Sequence, residues 1–129
     1  MEIFNIVLLA ISGLLLSVVG TLRLSNPIKN YLKNSGITLA QDVHLLSEMR
    51  GVSAVMLMGG LLILAGIFIP KLMVASFLVA VLLFLGFAVG RIIGLKVDGK
   101  PNQLILQGLV SEIVLGAANV YCLVSLLME

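Results

Sequence analysis

Gly86-Phe-Ala-Val-Gly90-Arg91-Ile-Ile-Gly94-Leu-Lys-Val-Asp98-Gly99-Lys100-Pro101 closes a long apolar run, and its reading decides the fold. Three glycines four residues apart share one face of a helix, a spacing that predicts close approach by a neighbouring backbone. Arg91 rides at the edge of that face. An arginine at mid-helix in hydrocarbon costs roughly 2.5–3.5 kcal/mol on insertion scales, so it requires an anionic partner or water. Asp98-Gly99 then signals a turn, and Pro101 suits the first turn of a following helix. The stretch reads as the tip of a helical hairpin that carries a charge inward.

Outward from this tip the chain is unusually apolar. Its 129 residues are 60% hydrophobic and 11% charged, against roughly 45–50% and 25% in ordinary globular domains. Four apolar segments fill most of the length, each close to the roughly 20 residues that cross a bilayer. The expected fold class is all-α: an integral membrane four-helix bundle in one domain over residues 1–129. Its helices are expected at about 3–22, 48–69, 72–95 and 101–127, with a short amphipathic interfacial segment before the second. Met1-Glu2-Ile3 lacks the basic start of a secretory signal and no Ala-x-Ala site follows, so the first segment is expected to stay in the mature chain.

The formal charge of +2 is too small to suggest nucleic acid. Its distribution says more. Arg23, Lys29, Lys33 and Arg50 lie at the first connection, and Arg91, Lys96 and Lys100 at the third; only Lys71 lies at the second. Connections one and three share a side of a four-helix protein. The positive-inside bias makes that side cytoplasmic and predicts both termini outside.

The first helix shows Gly13, Ser17 and Thr21 at four-residue spacing, a face suited to close packing. Asn26-Pro27 and Asn34-Ser35-Gly36 read as breaks. Thr38 to Ser47 reads as a short amphipathic helix, with Leu39, Val43 and Leu46 at helical spacing and Thr38 as its N-cap. The second helix holds the pair Gly59-Gly60, and Pro70-Lys71 makes its neighbour antiparallel. The fourth carries a polar stripe of Gln103, Gln107, Ser111 and Glu112, with Asn119 seven residues further on. A faint duplication is visible: Arg23 and Arg91 close helices 1 and 3, while Ser47-Glu48 and Ser111-Glu112 lie in helices 2 and 4. The spacings are unequal.

Helix geometry makes a pair of Arg91 with Glu112 reasonable, with Asp98 or Glu48 as the alternative acids for Arg91. Arg91 lies roughly 12 Å before the turn and Glu112 roughly 18–20 Å after it. Side chains lean toward their own helix N-terminus, so the two converge. Glu48, Arg50 and Asp98 lie toward the same end, and Gln107 lines the route inward. The candidate ligand-binding set is therefore Arg91, Glu112, Arg50, Glu48, Asp98 and Gln107. Taken singly, Glu48, Arg50 and Asp98 also suit interfacial anchors or turn residues. His44 reads as solvated, Cys122 as a buried thiol, and Asn119 as an interhelical hydrogen-bonding residue. No metal, phosphate-loop or nucleophile pattern points to catalysis, and neither metal nor cofactor is expected.

Arg50-Gly51, Gly90-Arg91, Asp98-Gly99-Lys100-Pro101 and the lone Glu112, in that order over roughly residues 45–120, resemble an uncharacterised bacterial family. It comprises small four-helix membrane proteins classed as a domain of unknown function. The resemblance implies a four-helix fold in the bacterial inner membrane and this polar cluster, with no activity to transfer. Small multidrug transporters are similar in size and helix count, but they place their key Glu in the first helix, where this chain has only Glu2 at its start.

The expected function is a binding or transport module whose cytoplasm-facing Arg/Glu cluster takes a small anionic ligand or a lipid headgroup. The alternative is an assembly subunit whose charges and glycine faces orient and join helices. Expected partners are membrane lipid and further copies of the chain, joined through the glycine faces.

Overall fold

A computed structural model describes residues 2–129 and shows five helices. These are α1 (Ile3–Ser25), α2 (Pro27–Ser35), α3 (Val43–Phe68), α4 (Met73–Val97) and α5 (Gln103–Leu127), with a single 3₁₀ turn (Pro70–Leu72) between α3 and α4. Four of them are long and apolar enough to cross a membrane. At 1.5 Å per residue, 23–26 residues make rods of roughly 35–39 Å, which exceeds the roughly 30 Å of a hydrocarbon core. Their outward faces stay apolar: on α1, Ile3, Val7, Ile11, Leu14, Val18 and Leu22 are all exposed, at helical spacing. Hydrocarbon tolerates such a surface and water does not.

The expected helix at Thr38–Ser47 is corrected. Residues 37–42 are not helical, and α3 begins at Val43 with Asp42 as its N-cap, Oδ1 accepting from His44 N at 3.0 Å. The short helix lies earlier, at α2. Asn26 caps it, accepting from Lys29 N at 3.2 Å; Pro27 opens it; Gly36 closes it at φ 66°. The two sequence breaks are the two ends of one helix, following the preference for proline at the start and glycine just past the end. Pro101 is also corrected. It precedes α5 rather than opening it, because Asn102 is the N-cap and accepts from Ile105 N at 2.9 Å.

The helices pack as two pairs, α1 against α3 and α4 against α5, which face each other chiefly across α3 and α4. Small residues set the α1–α3 distance. A Cβ on Gly60 would fall 2.6 Å from Ser17 N and 2.8 Å from Gly13 O, and one on Gly20 would fall 2.7 Å from Leu57 N. Gly13 and Ser17 thus act as expected, while Thr21 is exposed and Gly20 takes its place.

The two pairs close on each other at the end that holds the termini. Leu9, Ile63, Phe77, Ala80 and Cys122 are almost wholly buried there. Ser76 Oγ donates to Leu62 O at 2.9 Å between α4 and α3, and Asn119 Nδ2 donates to Ser12 Oγ at 3.1 Å between α5 and α1. Asn119 plays its expected interhelical part. At the other end the pairs part.

Candidate functional site

Where the pairs part, they enclose a cavity of about 680 Å³. Its depth is apolar, formed by Leu16 and Val19 of α1, Met56 of α3, and Phe84 and Phe87 of α4. Its outer end is polar. Arg23 of α1, Asn34 and Ser35 of α2, Arg91 of α4, and Gln107 and Glu112 of α5 converge there.

Gly86, Phe87, Gly90 and Arg91 of the Gly86–Pro101 stretch line this space, which corrects the reading of its glycines. A Cβ at Gly86 or Gly90 would meet nothing within 4 Å, and one at Gly94 only Asp98 Oδ2 at 3.8 Å. They admit no neighbouring backbone. Gly86 and Gly90 instead form a side-chain-free wall of the cavity, and their missing side chains are part of its volume.

Arg91 Nε lies 3.0 Å from Glu112 Oε1, the only ion pair among the described residues. The carboxylate side chain is 12% exposed and the guanidinium 29%. Glu112 Oε1 is buried and makes no hydrogen bond of good geometry, so the contact is electrostatic and leaves capacity on both groups.

Arg23 is the residue that sequence reasoning did not place in the site. It is 8% exposed, donates through Nη2 to Ser35 Oγ at 2.8 Å, and stacks 4.3 Å from the Tyr31 ring centroid. Its Nε is buried without a partner, as is Asn34 Oδ1. Two guanidiniums against one carboxylate leave a positive charge in excess at the cavity's end. The clue available in the sequence was Arg23 itself, a charge beside the end of a long apolar helix. The partners Tyr31, Asn34 and Ser35 were hidden because α2 was read as two breaks.

α2 holds this end in place. Asn30 Nδ2 donates to Leu22 O at 2.8 Å and Asn26 O at 3.0 Å, adding side-chain bonds to carbonyls that already accept from the backbone N–H groups of Asn26 and Asn30, and so tying α2 to the end of α1. Asn102 Nδ2 at the start of α5 donates to Ser35 O at 2.8 Å. The short helix therefore bridges α1 and α5 across the mouth.

Of the six residues expected in the site, Arg91, Glu112 and Gln107 line the cavity. The other three do not. Arg50 is exposed and donates to Leu24 O at the end of α1, tying α3 to α1. Asp98 is the C-cap of α4 and exposed. Glu48 is exposed beside a separate depression between α3 and α4, with Gly51, Val55 and Leu83. The suspected duplication extends to the arginines alone: Arg23 and Arg91 meet at one cavity, while Glu48 and Glu112 do not. His44 is exposed in the first turn of α3, and Cys122 is buried.

No curated protein and no solved structure matches the chain. Residues 4–123 match a family described as a domain of unknown function, DUF4345, which takes in every residue of the cavity and nearly the whole of the four long helices. The chain belongs to that family.

Proposed function

We propose that this protein is a membrane-embedded binding module that takes a ligand bearing an anionic group into the cavity between its helix pairs. One observation carries the reading: a cavity whose only charged lining residues are Arg23, Arg91 and Glu112, so that positive charge is in excess. Charge in a low-dielectric interior demands compensation. Arg23 has a buried Nε with no acceptor, and a guanidinium offers five donors in a fork suited to a carboxylate or phosphate. Glu112 restrains Arg91 without satisfying both arginines. The positive-inside bias sets this end toward the cytoplasm of a bacterial cell, with both termini across the membrane. A reporter fused after Glu129 and active only outside the cytoplasm is the expected result.

The assembly reading has less support. The glycines that approach another backbone, Gly13, Gly20 and Gly60, do so within the chain, and Gly86 and Gly90 face the cavity.

The test is thermal melting of the purified protein in dodecyl maltoside with hexanoate or hexyltrimethylammonium added. Hexanoate should raise the melting temperature of the natural chain and leave Gly90→Leu, whose side chain would occupy the cavity, unmoved. Equal shifts with the cationic probe, or an equal shift in Gly90→Leu, would refute anion binding here.

A further inference from the structure

We infer that the ligand is a membrane amphiphile with one net negative charge, its headgroup between Arg23 and Arg91 and its chain in the apolar depth of the cavity. The inference rests on the anion-binding reading above and adds the ligand's class.

Three observations carry it. The first is the gradient along the cavity. From the polar end inward, α1 presents Arg23, then Val19, then Leu16, and α4 presents Arg91, then Phe87, then Phe84. A small soluble anion would be served by the charged end alone and would leave the apolar depth empty. Voids lined by apolar side chains forfeit contacts on every wall, whereas a hydrocarbon chain restores them.

The second is the way in. α1 and α5 touch sparsely, and their hydrogen bond from Asn119 to Ser12 lies at the closed end. Toward the open end, Leu15 on α1 and Ser111 on α5 are both cavity-lining and accessible. α2 meanwhile bridges the mouth through the hydrogen bonds of Ser35 to Arg23 and Asn102. α2 crosses the route from water, whereas among the described residues no hydrogen bond closes the route between α1 and α5 at this end. A ligand already dissolved in the bilayer can take the second, and its chain leaves one hydrocarbon environment for another. Selectivity then falls to the headgroup.

The third is the charge count. Two guanidiniums and one carboxylate are neutralised by a single negative charge. A carboxylate on a single chain and a phosphodiester on a two-chain lipid both meet that requirement. A zwitterionic head does not, since it brings a cation beside Arg23 and Arg91.

The experiment uses the full chain reconstituted in phosphatidylcholine nanodiscs doped with either oleate or phosphatidylglycerol, followed by native mass spectrometry of the released protein. One copy of the anionic amphiphile should stay with each chain while phosphatidylcholine is lost. Loss of one charge-assisted contact should weaken retention about ten- to a hundredfold in Arg91→Gln and in Arg23→Gln. Gly90→Leu, which keeps every charge, should abolish it, so the conclusion does not depend on the arginine variants folding. Retention of oleate alone assigns a single-chain carboxylate, and of phosphatidylglycerol alone a phosphodiester lipid; either supports the proposal. Retention of phosphatidylcholine to the same degree, or retention indifferent to Gly90→Leu, marks lipid on the outer surface and overturns it. If no amphiphile is retained but hexanoate still stabilises the protein, the anion site stands and the amphiphile falls. If hexanoate is also without effect, both fall.

Discussion

The two ends of the bundle are built from the same four helices and differ in what lies between the pairs. At the terminal end, Leu9, Ile63, Phe77, Ala80 and Cys122 fill the space; Ser76 and Asn119 donate hydrogen bonds between helices, and Asn119 Oδ1 is, among the described residues, the one buried polar atom there that makes none. At the other end an arginine is buried with an unpaired Nε, a carboxylate oxygen is buried without a hydrogen bond, and two glycines of α4 face empty space. In a bilayer, helices gain little from hiding apolar surface from one another, and close packing and interhelical hydrogen bonds hold them together. The closed end has both. At the open end the pairs stand apart around the cavity, and the one hydrogen bond that spans the mouth runs from Asn102 at the start of α5 to Ser35 O of α2.

The seam between α1 and α3 runs through both ends and fixes one wall of each. Gly60→Leu should produce the largest effect. The new side chain would meet Ser17 N and Gly13 O, backbone atoms that cannot step aside. Overpacking costs about 1–3 kcal/mol where side chains can yield, so here the loss should reach or exceed that range. Size-exclusion profiles and melts in one detergent would register it; a variant that melts like the natural chain would mean the two ends do not share a rigid wall.

The next effect belongs to the open end. Arg91→Leu or Glu112→Leu leaves the other charge without its partner, and with Arg91 partly exposed the cost should be about 1–3 kcal/mol. The double variant should recover most of it. Additive losses with coupling below about 0.5 kcal/mol would show that the two side chains do not hold each other.

The smallest belongs to the closed end. The Ser12–Asn119 hydrogen bond should show a coupling of about 0.6 kcal/mol in an alanine double-mutant cycle, the usual value between membrane helices. A coupling as large as that of Arg91 with Glu112 would mean the closed end is held by its polar bridge more than by its packing, and would weaken the contrast drawn between the ends.

Helix existence was legible in the sequence because hydrocarbon forces it: a backbone crossing a bilayer must satisfy its own hydrogen bonds, and four apolar runs of sufficient length leave one way to do so. The approach of Arg91 to Glu112 was legible as well, since a turn of known place and a fixed rise per residue set the axial positions. α2 was legible in principle, with Asn26-Pro27 and Gly36 as its ends, but the same residues make turns, and nine residues are too few for periodicity to arbitrate. Only the tertiary structure decided which glycines pack and which line a void. Gly60, next to Gly59, and Gly90, four residues from Gly86 and Gly94, both sit on apolar helices, and what separates them is whether another helix stands opposite. For the same reason it alone brought Arg23 and Arg91 to one cavity: the two sit on different helix pairs, and no spacing along the chain encodes how the pairs turn toward each other.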